Sequence, residues 1–389
     1  MKLKRAAILS LSFLAIMSTD IAAPLVGQIS ASFPKVNPAL IKQTITLPSL
    51  MMIFFGLIAG QLVKVLSKKA IVGIGISLYT IGGIAGGWSH TFTGHLVMRA
   101  LLGAGTGLIT PVVTSLIADF YEGKERADMI GYSFFVSHIG GVIMPPLAAW
   151  MGTHDWRTAF LLYAIAPFIF LFSMLFIPKL PRNKKPEAHG KRKKPVPPLV
   201  IWLSIMSFIL VVFFFIIITD IPFLIQAKQN IAPYVITFGL SVSTFGSSIT
   251  GLAFSRVYMK LKKWTIPTGL LVTAGGFLII TFTESSVLVM LGLLCTGLGV
   301  GLLFSLILLL TTDAVGSNDS TAALAVINSA FSVGMFMSPF FYAIVPSTFS
   351  NEPNIILNFQ FASYFFLGAG AIAIPAVHFF MKDKLLKIV

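Results

Sequence analysis

Apolar runs of about twenty residues recur along the whole chain, separated by short polar segments, and no other feature restricts the fold as much. An α-helix rises about 1.5 Å per residue, so a run of ~20 apolar residues is long enough to cross the hydrocarbon core of a bilayer. The runs lie near residues 6–28, 41–63, 70–88, 93–120, 127–151 and 157–178, then 198–221, 233–256, 264–283, 286–312, 321–345 and 356–381. They are too long and unbroken for the alternating strands of an outer-membrane barrel. The first run follows Met1-Lys2-Leu3-Lys4-Arg5 but is too long for the apolar core of a signal peptide, so it reads as a retained span. The expectation is an all-α polytopic membrane protein with twelve transmembrane helices.

Composition supports this reading. Of 389 residues, 56% are hydrophobic and only 11% are charged, too few to cover a soluble globule. The single cysteine, Cys295, lies in an apolar run, which excludes a disulfide scaffold. The net charge of +15 invites a nucleic-acid partner, but the basic residues sit in short clusters between spans. Clusters of that kind mark cytoplasmic loops, and no nucleic-acid partner is expected. With the N-terminus inside, the inner segments hold 23 Lys and Arg and the outer ones four (Lys35, Lys42, Arg157 and Lys228), while Arg99 lies within a span. The charge bias predicts that both termini are cytoplasmic.

Residues 179–197 form the one long hydrophilic stretch, rich in Lys and Pro, and read as a solvated linker. It separates an N-terminal six-helix bundle (1–178) from a C-terminal one (198–389). The halves are related. A shift of 194 residues places Gly103, Gly105, Gly107 and Leu108 on Gly297, Gly299, Gly301 and Leu302, and Asp119, Gly140 and Pro145 on Asp313, Gly334 and Pro339. Thr19-Asp20-Ile21 in span 1 has its counterpart in Thr219-Asp220-Ile221 of span 7. Six spans per half insert both copies in the same sense, as a parallel repeat.

With twelve spans, a 6+6 repeat and a basic central segment, the chain resembles the major facilitator superfamily over essentially its whole length. It is most similar to the bacterial drug/proton antiporter-like exporters. The motifs are Asp20 followed by Pro24 in span 1, Leu96-x-x-Arg99 with Gly103-x-Gly105-x-Gly107 in span 4, and Trp156-Arg157-x-x-Phe160 at the start of span 6. Two motifs depart from that family's pattern. The loop after span 2, usually Gly-x-x-x-Asp-Arg-x-Gly-Arg-Lys, reads Gly60-Gln61-Leu62-Val63-Lys64-Val65-Leu66-Ser67-Lys68-Lys69, and its second-half version keeps Arg256 but loses the acid. The antiporter motif of span 5 survives only as Gly141-x-x-x-Pro145-Pro146, followed by Ala149 and Trp150. The resemblance implies a monomeric secondary transporter of the cell membrane. It would exchange protons for small amphipathic molecules, or else carry one metabolite such as a sugar, a siderophore or an organic acid.

The polar residues inside the spans carry the chemistry. An ionised carboxylate deep in a span needs water or a partner, so Asp20 reads either as a proton-coupling acid or as a neutral group bonded to Ser18 or Thr19. Asp220 has the equivalent place, with Pro222 setting it nearer the outer surface. Arg99 cannot shed its charge; it either pairs with Asp20 or snorkels to the interface. Asp119 and Asp313 end spans 4 and 10 and are expected to meet Lys64, Lys68 or Arg256 in a latch at the inner face, near Gly60. Gly140, Gly141, Pro145 and Pro146 interrupt span 5 and offer a hinge. Met17, Phe134, Phe135, Ser137, His138, Phe214, Asn328 and Phe331 are candidates for a substrate cavity, although any single Phe or His among them equally suits core packing. No nucleotide-binding loop, metal-ligand cluster or nucleophile elbow occurs in the sequence, so no cofactor, metal or enzymatic activity is expected.

Overall fold

Polar residues placed at the ends of apolar runs start the helices. Asn37 accepts from the Ala39 amide at 2.8 Å, Ser67 from Ala70 at 3.2 Å and Thr91 from Gly94 at 3.1 Å. Each satisfies one of the amides that a helix leaves free in its first turn. The computed structural model describes residues 2–63, 65–121, 123–177, 197–228, 230–344 and 355–380. Lys64 and nearly all of the 179–197 linker lie outside these residues, as do the side chains of Phe134 and Asp313. Among the described residues there is no strand.

The chain divides into two compact units, residues 1–196 and 197–389. The first contains α1 (Lys2–Asp20), α2 (Val26–Ser32), α3 (Pro38–Leu62), α4 (Lys68–Gly87), α5 (Phe92–Phe120), α6 (Gly123–Met151), α7 (Trp156–Ala159) and α8 (Ile165–Phe176). The second contains α9 (Pro198–Phe214), α10 (Ile216–Ala227), α11 (Tyr234–Leu261), α12 (Thr265–Phe282), α13 (Ser286–Ile344) and α14 (Ile355–Phe380). Ten helical segments are long and apolar enough to cross a membrane. One of them, Tyr234–Phe282, holds two of the expected spans, divided by a 3-10 turn at Lys262–Trp264, and the shorter apolar helix Phe135–Met151 falls on the fifth span. All twelve expected runs are therefore helical.

Three boundaries differ from the sequence reading. The first span is not one helix: α1 stops at Asp20, a 3-10 turn over Ala23–Leu25 carries Pro24, and α2 continues to Ser32. The seventh is likewise divided at Phe215 and runs on to Ala227, past its expected end at 221. The expected break between spans 10 and 11 is absent, because α13 remains helical through residues 313–320. Span 5 is not interrupted either. Pro145 and Pro146 lie inside continuous α6, where each removes one backbone donor without ending the helix.

Equivalent helices pair in the same way in both units. α5 packs against α3 and α4, and the first part of α13 against α11 and α12. The Gly-x-Gly-x-Gly stripes show why. Positions 103 and 107 lie about one turn apart on one face, and 105 points the other way. A methyl group at Gly103 would come within 2.5 Å of the Pro48 backbone of α3, and one at Gly105 would strike the Gly75 carbonyl and the Tyr79 amide of α4. In the second unit a methyl group at Gly301 would come within 2.7 Å of Ser247 of α11, and one at Gly299 would strike the Gly269 carbonyl of α12. Lipid supplies no hydrophobic drive for helices to associate, so backbone approach and van der Waals contact hold these pairs together.

Adding a side chain to such a face overpacks it, at a cost of about 1–3 kcal/mol. Gly105→Ala and Gly299→Ala should each lower the unfolding temperature of the detergent-solubilised protein. Gly251→Ala, which adds a methyl group into open space, should leave it unchanged. An equal loss in all three variants would show that the stripe does not set helix spacing.

Candidate functional site

The first unit encloses a charged residue in its interior. Arg99, in the second turn of α5, has no exposed surface. Its guanidinium donates from Nε to the Thr44 carbonyl of α3 at 2.6 Å, from Nη1 to the Tyr163 hydroxyl at 2.8 Å, and from Nη2 to the Ser18 carbonyl near the end of α1. The rings of Phe160 and Tyr163 lie 5.9 and 5.8 Å from its centre, close enough for cation–π attraction. One planar fork thus ties together three helices and the 3-10 turn at Phe160–Ala164. A cation that cannot be neutralised is held there by neutral acceptors alone. Protein encloses Arg99, and it does not snorkel to the interface.

Asp20 does not pair with it directly. Among the described residues no ion pair joins the two, and the Asp20 carboxylate, half-buried, accepts from Thr19 at 3.0 Å. α1 ends at Asp20, and Arg99 takes the carbonyl of Ser18 instead of the acid. Two buried groups here have no hydrogen-bond partner among the described residues: the Tyr79 hydroxyl and the Thr44 Oγ1. Tyr79 packs edge-on against Tyr163 at 5.5 Å.

One helical turn before Arg99, His95 is fully buried and donates from Nδ1 to the Gly86 carbonyl at 2.7 Å, which leaves Nε2 as an unpartnered acceptor. Phe92, Trp156 and Phe160 surround its ring at 6.0, 5.6 and 5.6 Å. The Trp156-Arg157-x-x-Phe160 motif is thereby explained. Asp155 caps α7 through the Arg157 amide, Trp156 donates to Ser32 Oγ at 2.9 Å, and Phe160 lies between His95 and Arg99. His95, Tyr79 and Tyr163 are absent from the sequence-based candidates. The available signal was spacing, since His95 and Arg99 share a helix face and Phe160 follows Trp156 by four residues.

In the second unit Asp220 is completely buried within the protein, and Pro222 lies inside α10 without ending it. Thr219 donates to its carboxylate at 2.6 Å. Ser338 and Tyr342 of α13 donate to the Val212 and Phe213 carbonyls of α9 at 2.8 and 3.0 Å. At the far end of α10, Lys228 donates to the carbonyls of Ile280, Thr281 and Thr283 at 2.9, 2.6 and 2.8 Å. There a cation closes the C-terminus of α12 and complements its dipole. Burial lowers the Lys228 pKa, opposed by Glu284.

The remaining candidates are dispersed. Lys68, at the start of α4, bonds both Asp119 and Ser115 near the end of α5, so these two members of the expected latch meet within one unit. Arg256 is exposed on α11 and has no ion pair among the described residues, and Gly60 borders open space. Gly140, Gly141 and Pro145 are buried in α6. Of the cavity candidates, Met17 is fully enclosed. Ser137 donates to the Ser12 carbonyl of α1 at 2.8 Å and so joins α6 to α1. Phe331 packs on Phe304 at 4.7 Å. Phe135 and Asn328 are exposed, and His138 and Phe214 are half-buried. The aromatic centre of the second unit is Phe213, which stacks on Phe365 at 3.5 Å.

The Arg99 geometry yields a prediction. An ammonium has neither the reach nor the planar fork to satisfy all three acceptors, and a hydrogen bond from a charged donor contributes about 1.5–3 kcal/mol. Arg99→Lys should lower the unfolding temperature in detergent, and Tyr163→Phe, which removes one acceptor, should lower it less. Equal unfolding temperatures for wild type and Arg99→Lys would show that the fork is not needed.

Comparison with known proteins places this architecture. The model of the Major Facilitator Superfamily matches residues 8–339 and 203–386. A galacturonate transporter of Dickeya chrysanthemi is 29% identical over 137 residues, 35% of this chain and 40% of that protein. The multidrug transporter protein MdtP of Bacillus subtilis is 23% identical over 334 residues, 67% of this chain and 60% of MdtP. The quinolone resistance protein NorA of Staphylococcus aureus is 28% identical over 119 residues, 30% of this chain and 31% of NorA. The chain therefore covers less than two thirds of each of these relatives. Among solved structures, an inward-facing bacterial homologue of the human lysosomal transporter Spinster superposes with a TM-score of 0.80 at 15% identity, covering 98% of this chain and 97% of that one. A D-xylose–proton symporter gives 0.77 at 14% identity, covering 97% and 96%. Family match and fold agree: this chain belongs to the major facilitator superfamily.

Proposed function

We propose that the chain is a proton-coupled secondary transporter that exports small amphipathic molecules by alternating access. The observation that carries the proposal is the enclosed Arg99, anchored on the end of the helix that bears Asp20. A channel or a structural scaffold has no need of a buried cation beside a titratable acid, whereas ionisable groups inside spans mark the proton relays and substrate pathways of carriers. When Asp20 is ionised it is attracted to Arg99; protonation removes that attraction and changes what holds the end of α1. The proton is taken up from the outer side and released to the inner side once per cycle. Asp220, buried in α10, plays the lesser part. The Lys68–Asp119 pair acts as a latch that ties α4 to α5, and Gly140, Gly141, Pro145 and Pro146 let α6 bend. The multidrug relatives MdtP and NorA support the substrate class.

The Lys and Arg distribution supports both termini on the cytoplasmic side of the cell membrane, and the family resemblance supports a monomer. A second reading, transport of one organic acid, is favoured by the galacturonate relative. Competition assays separate the two. Inhibition by many unrelated cationic and neutral amphiphiles supports drug export, and inhibition by sugar acids alone supports the second reading.

Asp20→Asn keeps the shape of the side chain but cannot ionise. In vesicles with an imposed pH gradient this variant should still bind substrate but lose gradient-driven accumulation, and Asp220→Asn should lose less. Full gradient-driven transport by Asp20→Asn would move the coupling site elsewhere. For the orientation, in a background carrying Cys295→Ser, His90→Cys should react with an impermeant thiol reagent added outside intact cells, and Lys260→Cys only after lysis. The opposite pattern would invert the topology.

A further inference from the structure

Where α1 begins, the chain gathers positive charge that the transport reading does not use. The Lys4 ammonium stands over the Phe120 ring at 4.3 Å and the Tyr121 ring at 5.1 Å, and no carboxylate or carbonyl bonds it among the described residues. The Arg5 guanidinium lies 5.7 Å from the Tyr121 ring and donates from Nη2 to Glu125 at 2.9 Å. Its Nε is buried and has no hydrogen-bond partner among the described residues. The Tyr121 hydroxyl is in the same condition, on a residue only 4% exposed. α6 begins at Gly123, so the free amides and positive dipole end of a 29-residue helix lie beside Tyr121 in the chain. Among the described residues, Glu125 offsets only one of the two cations.

A buried phenol, a buried guanidinium N–H and an unbonded ammonium are all donors awaiting an acceptor. Together they call for an oxyanion with several oxygens, as a phosphate has. Their position decides its source. They sit at the start of a membrane-crossing helix and the end of another, where headgroup phosphates lie. We propose that Lys4, Arg5 and Tyr121 form a binding site for the phosphodiester of an anionic lipid. The two cations supply attraction, and the Tyr121 hydroxyl supplies a directed hydrogen bond that a diffuse surface charge lacks. Binding there would hold α1, the helix that carries Asp20, against the α5–α6 junction.

Native mass spectrometry of the full chain in detergent tests the site, with dioleoylphosphatidylglycerol as the probe, dioleoylphosphatidylcholine as the zwitterionic control and inorganic phosphate as competitor. Wild type should retain phosphatidylglycerol in preference to phosphatidylcholine. Lys4→Gln combined with Arg5→Gln should weaken retention roughly tenfold or more, since each basic residue near an anionic surface contributes about fivefold. Tyr121→Phe should weaken it severalfold while leaving the lipid-free unfolding temperature unchanged. If Tyr121→Phe fails to fold, Lys4→Gln alone provides the comparison. Equal retention of both lipids by wild type, unchanged retention in the charge variants, or full displacement by millimolar inorganic phosphate would each overturn the proposal. Because retention is read without transport, the outcome is independent of whether Asp20 couples protons.

Discussion

A bilayer offers no water to a backbone amide or carbonyl, and every feature of this molecule answers to that constraint. It makes each run helical, because only a helix satisfies its own backbone within one segment. It also sets how helices recognise one another. With no hydrophobic gain to be had between them, they associate through close backbone approach and through polar side chains that find acceptors on a neighbour. Gly103, Gly105 and Gly107 provide the first, against Pro48, Gly75 and Met52. Ser137 on the Ser12 carbonyl and Ser338 on the Val212 carbonyl provide the second.

Arg99 is the extreme case of the same rule. Its charge is permanent, so the unit is built around it: carbonyls from α1 and α3, a phenol from the Phe160–Ala164 turn and two aromatic faces. The Ser18 carbonyl is available partly because α1 stops two residues later, and a helix leaves its last carbonyls without internal donors. The break before Pro24 and the burial of the arginine are therefore parts of one arrangement. Among the described residues of the second unit no arginine is enclosed in this way, and its corresponding helix breaks earlier, at Phe215. The repeat preserves helix pairing while the polar chemistry of the halves diverges.

Some of this was legible in the chain alone. Length, apolar runs and the offset of 194 residues indicated helices, their number and their pairing by halves, because those properties depend on local periodicity and on glycine spacing along one helix. The Leu96-x-x-Arg99 and Trp156-Arg157-x-x-Phe160 motifs pointed to the right region of the first unit. They did not show that Arg99 bonds Ser18 and Thr44, or that Asp20 stays with Thr19. The seventh span runs past its expected end at 221 because a proline enclosed by protein can be tolerated inside a helix, and Pro222 lies within α10. The same holds for Pro145 and Pro146 in α6.

What the sequence determined by itself, then, is the set of spanning helices and the presence of charged groups among them, since both follow from which residues occupy a run. Only the tertiary structure decided how those groups are satisfied. The acceptors of Arg99 lie 55, 64 and 81 residues away along the chain, on three different elements. Which of them meets the guanidinium depends on how helices are spaced and rotated against one another, and no pattern within a single helix encodes that.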